Sequence, residues 1–313
     1  MTPTPSMHSG DPYNFPQQDL QRFGGLLVSG IDRMTASGQL ILGEGVRRFE
    51  EAFAAWLRPE QPPAVIGVAN GTDALELALR GCAVSPGDQV LLPAHTAYAT
   101  AAAVLRVGAK PRFVDIDATY HGIAVDHVER ILAEPGPPPK ALIAVHLYGE
   151  ACDLDALVPL CNAHGVSLIE DCAQACGTLH RGAPVGGRGR FAAFSFYPTK
   201  NLAAFGDGGV VVANRPEDAE ALRRSRFYGW DDQRQAVQFG VNSRLDELQA
   251  WLLLGKLDRY PPAGQGFLIG KTMPLLDLVG SPELIARFKA LMASPDVSVG
   301  ADPGVAEKLA ALP

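Results

Sequence analysis

No stretch of this chain approaches the ~20 consecutive apolar residues that a membrane-crossing helix requires. The longest apolar run, Ala97 to Leu105, stops at Arg106. Basic residues are outnumbered, 27 Lys and Arg against 34 Asp and Glu, and the net charge of −7 speaks against a sequence-independent hold on nucleic acid phosphates. Cysteine is scarce and unpaired in pattern. The five (Cys82, Cys152, Cys161, Cys172, Cys176) are odd in number and form no CxxC, so neither a disulfide framework nor a standard zinc motif is expected. Cys172, Cys176 and His180 are spaced closely enough to suggest zinc, but no second half-site accompanies them and the idea is set aside. The N-terminal MTPTPSMHSGDPYNFPQQ has neither a basic start nor an apolar signal core. Residues 1–30 are therefore expected to be a flexible leader on a cytoplasmic protein. GxGxxG does not follow the first strand-like run, which removes the main support for a nicotinamide-binding reading.

What the chain does have is a globular balance, 47% hydrophobic and 19% charged over 313 residues, and a regular alternation of patterns. Short β-branched runs are expected as strands at Ala64–Ala69, Gln89–Pro93, Pro111–Asp117, Ala141–Leu147, Val166–Asp171, Phe191–Phe196 and Gly208–Ala213. Amphipathic stretches between them are expected as helices, among them Thr72–Cys82, Thr96–Val107, Ala124–Glu134 and Asp153–Gly165. Continuous apolar strands alternating with helices imply an α/β fold: three layers, with a mostly parallel sheet covered by helices on both faces. A long helix over Asn242–Tyr260 runs into the breakers PPAGQG. Beyond it, helices are expected at Pro282–Ala293 and Val305–Leu312, without an obvious second core.

Three segments carry chemistry. In FAAFSFYPTKNLAAFGDGG a strand ends at Ser195 and Lys200 follows in a turn. A lysine partly desolvated there would have a lowered pKa and an amine able to form a Schiff base with an aldehyde. In SLIEDCAQACG, Asp171 ends a strand at the ligand-binding edge of an open sheet, with Gln174 three residues on. A carboxylate there suits a pyridinium nitrogen, as pyridoxal phosphate chemistry demands, and Gln174 suits the ring oxygen. In VANGTDALELAL, Gly71 and Thr72 open a helix directly after a strand, an arrangement that presents backbone N–H groups to a phosphate. Each segment also has an ordinary explanation: a surface lysine, an acidic helix cap at Asp171, and capping by Asn70 or Thr72. Their combination in one sheet is what points to a cofactor site.

With those segments in place, residues from about Ile31 to Tyr260 resemble the pyridoxal-phosphate-dependent sugar-nucleotide aminotransferases of the DegT type, within the aspartate-aminotransferase-like fold. LILGEGVRRFEEAFAAWL, HLYGEACDLDAL and FYGWDDQRQAVQFGVNSRLDELQA extend the likeness. The resemblance implies a large pyridoxal-phosphate-binding domain over 31–260. It implies Lys200 as the Schiff-base lysine and proton shuttle, Asp171 on the pyridine nitrogen, and Gln174 near the ring oxygen. Gly71, Thr72 and Ser195 would hold the phosphate, and Asn242 would reach the phosphate in the neighbouring subunit of a homodimer. Transamination of a nucleoside-diphosphate keto-sugar by an amino-acid donor, L-glutamate, is the implied reaction, in amino-sugar biosynthesis. Arg181, Arg188, Arg190 and Arg244 are candidates for contacts with the diphosphate, although a surface role suits each of them better. No metal, nucleic acid or membrane partner is implied.

Two departures stand out. Many relatives carry an aromatic residue directly after the His-Thr pair, stacked on the cofactor ring, whereas here His95-Thr96 is followed by Ala97 and only then Tyr98. Relatives also continue into a small domain that covers the site. Residues 261–313 show none of its usual pattern, so that domain is expected to be truncated or replaced. An alternative therefore stays open: a truncated, catalytically impaired relative acting as a cofactor-binding or partner protein.

Overall fold

The computed structural model describes residues 16–117 and 121–260. Seven strands form one sheet: β1 (Ala64–Val68), β2 (Gln89–Pro93), β3 (Lys110–Val114), β4 (Ala141–Val145), β5 (Ser167–Asp171), β8 (Phe191–Ser195) and β9 (Gly209–Ala213). Between β5 and β8 lies a two-stranded ribbon, β6 (Leu179–His180) with β7 (Ala183–Pro184). The order in the large sheet is β1-β9-β8-β5-β4-β2-β3. Every pairing from β8 to β3 is parallel, and β9 alone runs against its neighbours β8 and β1. The α/β expectation is met, and each of the seven expected strands is present.

The central strands are buried along their whole length. ALIAV of β4 and GVVVA of β9 have no exposed position, as strands covered on both faces must. At the edge the pattern loosens. β3 (KPRFV) carries Pro111, tolerable where no further strand needs its missing N–H, and Phe113 stands half exposed.

Among the described residues, eight α-helices accompany the sheet: α1 (Pro16–Ser37), α2 (Glu44–Leu57), α3 (Gly71–Gly81), α4 (Tyr98–Arg106), α5 (Val125–Leu132), α6 (Leu154–Ala163), α7 (Pro216–Ser225) and α8 (Glu247–Leu257). Two separate apolar cores result, one on each face. One joins α2, α5, α6 and α8 around Phe49, Phe53, Phe194 and Leu253, and the other joins α3, α4 and α7 around Leu77, Leu79, Val104 and Leu222. Phe53 meets Phe194 edge-on at 5.2 Å between ring centroids, fixing α2 against β8.

Several boundaries differ from expectation, three of them for a reason visible in the packing and backbone. The expected leader over 1–30 includes helix from Pro16 onward, because α1 packs on α8 and Lys256 of α8 reaches back to Asp19. Residues 1–15 lie outside the described residues. The helix expected from Asn242 begins only at Glu247, since the backbone before it has other partners. Val241 N–H donates to Ser225 O at 2.7 Å, Ser243 N–H to Arg226 O at 3.0 Å, and Asp246 bridges to Ile41. Helix α4 starts two residues later than expected because Ala97 is extended, with ψ at 144°. The chain divides between Gly270 and Lys271, and all described residues belong to the first unit. The helices expected at Pro282–Ala293 and Val305–Leu312 lie outside the described residues.

Candidate active site

The site is built at the edge of the sheet where β5 and β8 end. Asp171 closes β5 and is 5% exposed. Its Oδ1 accepts from Ala173 N–H at 3.1 Å, and its Oδ2 accepts from Thr100 Oγ1 at 3.2 Å. Burial pushes its pKa up, while those two donors and the charge of Lys200 pull the other way. A buried carboxylate in this position favours a cation placed against it.

Lys200 lies in the turn after β8, half-buried, with its N–H donating to Tyr197 O at 2.8 Å. Burial lowers its pKa and Asp171 opposes the shift, so each residue is felt by the other. The expectation of a partly desolvated lysine holds. A lowered pKa raises the share of neutral amine available to a carbonyl carbon.

Gly71 begins α3. Asn70 is the N-cap, its Oδ1 accepting from Asp73 N–H at 2.8 Å. That leaves the N–H groups of Gly71 and Thr72 with no acceptor among the described residues. A Cβ at Gly71 would stand 2.7 Å from Ser195 Cβ and 3.2 Å from Ser195 Oγ. The absence of a side chain is thus what lets the end of β8 meet the start of α3, and it sets the Ser195 hydroxyl beside the orphan N–H groups. Gly209 permits the same approach from β9: a Cβ there would stand 2.7 Å from Asn70 O. Two glycines and a serine make an oxyanion cradle suited to phosphate.

Gln174 accepts from Tyr148 N–H at 2.8 Å, and Tyr148 takes a left-handed φ of 57°. Its ring lies 6.0 Å from that of His95, with Nε2 and Oη 3.2 Å apart. Tyr98 is 78% exposed, so it does not fill the place of the missing aromatic residue after Thr96. Asn242 is exposed and bridges Phe227 through its backbone, with no side-chain hydrogen bond to the other six predicted residues. Its neighbour Ser243 is buried, donating to Asp73 Oδ2 at 2.6 Å and accepting from Ala69 N–H at 3.0 Å.

The sequence reading missed Thr100. It lies in the first turn of α4, four residues after Thr96, which precedes the helix, and the two hydroxyls lie 2.9 Å apart. On the helix expected over Thr96–Val107 the two threonines, four apart, would share a face, which was the available signal. The reading also missed the support behind Asp171. Glu170 is fully buried and accepts from Gly186, Arg188 and Gly189 N–H groups, each at 2.7 Å, and from His146 Nε2 at 3.1 Å. His146 Nδ1 accepts from Cys152 N–H, which leaves the ring proton on Nε2 to donate to Glu170.

His146, Glu170 and Cys172 sit within 4.8 Å of one another. The ring nitrogens of His146 and the oxygens of Glu170 are engaged as described, and burial pushes the Cys172 thiol up to about 12. His146 and Glu170 form a hydrogen-bonded support behind Asp171. The four candidate arginines do not gather at the site. Arg181 and Arg188 both bind Asp155, at 2.6 and 3.0 Å, Arg190 binds Asp218 at 2.7 Å, and Arg244 stacks over Phe227 at 5.0 Å. Arg188 and Arg190 precede β8, at the opposite end of the sheet from Asp171.

The donors present fit pyridoxal phosphate: a cradle of unpaired N–H groups that a Cβ would fill, a buried carboxylate that calls for a cation, and a lysine of lowered basicity. Comparison with known proteins agrees with that fit. Residues 27–263 match the DegT/DnrJ/EryC1/StrS aminotransferase family. A pleiotropic regulatory protein of Geobacillus stearothermophilus is 42% identical over 74% of this chain and 61% of its own length. A dTDP-3-amino-3,4,6-trideoxy-alpha-D-glucose transaminase of Streptomyces venezuelae is 44% identical over 72% of this chain and 58% of its own. The crystal structure of S. venezuelae DesV in complex with a ketimine intermediate superposes with a TM-score of 0.72 at 41% identity, covering 79% of this chain and 66% of that one. The chain spans about three fifths of the length of these curated relatives.

Proposed function

Since the chain belongs to the DegT/DnrJ/EryC1/StrS aminotransferase family, we propose that it transfers an amino group from an amino-acid donor, L-glutamate, to a nucleoside-diphosphate keto-sugar. The observation that carries this reading is the meeting, at one end of one sheet, of Lys200, buried Asp171 and the Gly71–Ser195 contact. Pyridoxal phosphate, when bound, supplies an electron sink for the carbon whose proton is removed. Gly71, Thr72 and Ser195 hold its phosphate through N–H and hydroxyl donors. Asp171 keeps a negative charge against the ring nitrogen, and Thr100 fixes which carboxylate oxygen points there. Gln174 lies beside the ring oxygen. Lys200 holds the cofactor through its amine between turnovers, and in turnover it carries a proton, a task its lowered basicity suits.

The substrate class rests on likeness to the dTDP-sugar transaminase named above. The active unit is a homodimer in which Asn242 reaches the phosphate held by the partner. Residues 31–260 form the cofactor-binding domain, with 261–313 a short segment beyond it. Five buried, unbridged thiols suit a reducing cytoplasm. The alternative, a cofactor-binding partner protein without turnover, draws on the regulatory name of one relative.

The two separate in one assay. Protein loaded with pyridoxal phosphate and given L-glutamate alone is expected to release one equivalent of 2-oxoglutarate. Lys200→Ala should cut that rate by about 10³-fold or more. Cofactor binding without release of the keto acid would favour the partner-protein reading.

A further inference from the structure

At the end of the sheet remote from Asp171, a cavity of about 470 Å³ opens beside the starts of β5 and β8. Across β5 the two ends are about 13 Å apart, at some 3.3 Å per residue. Its polar lining includes Arg58 at the end of α2, Asn162 of α6, Ser167 of β5, Arg188 and Arg190 before β8, and Asn214 and Arg215 after β9. No carboxylate lines it.

Four guanidinium groups in one recess repel one another unless each has a counter-charge. Two are provided for: Arg188 binds Asp155 and Arg190 binds Asp218. The other two are not. Arg58 Nη2 donates to the neutral Asn214 Oδ1 at 2.6 Å, and its Nε is buried with no acceptor. Burial works against its charge, and the carboxylate that offsets this is Glu170, whose oxygens already accept four hydrogen bonds. Arg215 is exposed and has no ion pair among the described residues. Asn214 holds the recess in shape, its Nδ2 donating to Gly186 O at 3.0 Å and to Gly189 O at 2.9 Å.

We propose that this cavity binds a phosphate-bearing small molecule, with Arg58 and Arg215 as the anchors for its phosphoryl group. Planar guanidinium forks match phosphate oxygens, and the association completes a charge balance that the protein leaves open. The volume lies within the ~300–1,000 Å³ range of small-molecule sites, more than a bare phosphate needs, so an organic phosphate suits it.

Inorganic pyrophosphate is the probe, titrated calorimetrically into the full chain already saturated with pyridoxal phosphate, so that the cradle at α3 is filled. Saturable binding is expected, weakened about tenfold or more by Arg215→Gln and by Arg58→Gln, and unchanged by Arg223→Gln, an exposed arginine of α7 outside the cavity. The Arg215 side chain is exposed and caps no N–H of α7, whose first turn it joins through its backbone carbonyl alone, so its variant leaves that hydrogen bond in place. Absence of saturable binding would overturn the proposal. So would equal affinity in the wild type and Arg215→Gln, which would place the pyrophosphate elsewhere.

Discussion

Asp171 bears its charge where burial resists charge, and its pKa stands above the usual carboxylate value for that reason. The folded protein therefore keeps this proton to higher pH than the unfolded chain does. The stability so gained is complete below the unfolded pKa and is lost as pH rises through the raised folded value. Thermal midpoints of cofactor-free protein should fall as pH climbs from the acid range towards neutral, and Asp171→Asn should remove that component of the fall. At pH 7 the cofactor-free Asn variant is expected to be more stable than wild type, yet about a hundredfold or more slower when loaded. Thr100→Val keeps the shape of the side chain and removes the donor to Asp171 Oδ2. With that donor gone the carboxylate pKa rises further. The acid limb of the pH–activity profile should then move to higher pH, with a loss of about tenfold or less at neutrality.

The element that seats α2 is a single side chain of α8. Gly43, the N-cap of α2, offers no side-chain cap. Glu247 supplies it from across the chain: Oε1 accepts from Gly43 and Val46 N–H at 2.6 and 3.0 Å, and Oε2 from Gly45 N–H at 2.8 Å. Glu247→Ala would orphan three buried donors at once, and a loss of about 3 kcal/mol or more is expected in urea unfolding. Glu247→Gln, which keeps an acceptor, should cost less. Contacts of this kind explain what was legible in the sequence and what was not. Strands such as β4 and β9 announce themselves because every position is apolar, and Asp171, Gly71 and Lys200 because each ends such a run or follows one within five residues. The Thr100–Asp171 bond joins residues 71 apart and the Gly45–Glu247 bond residues 202 apart. Neither leaves a local pattern, so the support around the site became visible only in three dimensions. The late start of α8 has the same origin: residues 241–246 satisfy their backbone groups against Ser225, Arg226 and Ile41, in a competition that helix propensity alone does not register.

At the scale of the whole molecule, the described surface includes exposed apolar side chains at Val28, Ile31 and Leu40 on one stretch and at Val237 and Phe239 on another. Among the described residues no helix is long and apolar enough to cross a membrane. A second copy of the chain is the occupant that the proposed shared site requires. Sedimentation at micromolar concentration should show a dimer, with an interface above the ~1,200–2,000 Å² of ordinary complexes. Cofactor retention should weaken on dilution through the mass-action link between assembly and binding, and in Asn242→Ala. A stable monomer carrying a full complement of cofactor would refute the shared site. The central claim, that Lys200 is the lysine which holds pyridoxal phosphate in this sheet, has a more direct test. Loaded protein is reduced with borohydride, digested, and its peptides are mapped by mass spectrometry. The visible absorbance band is expected to vanish on reduction, and the pyridoxyl group to be found on the peptide bearing Lys200. Label on a different lysine, or a full visible band in Lys200→Ala, would contradict it.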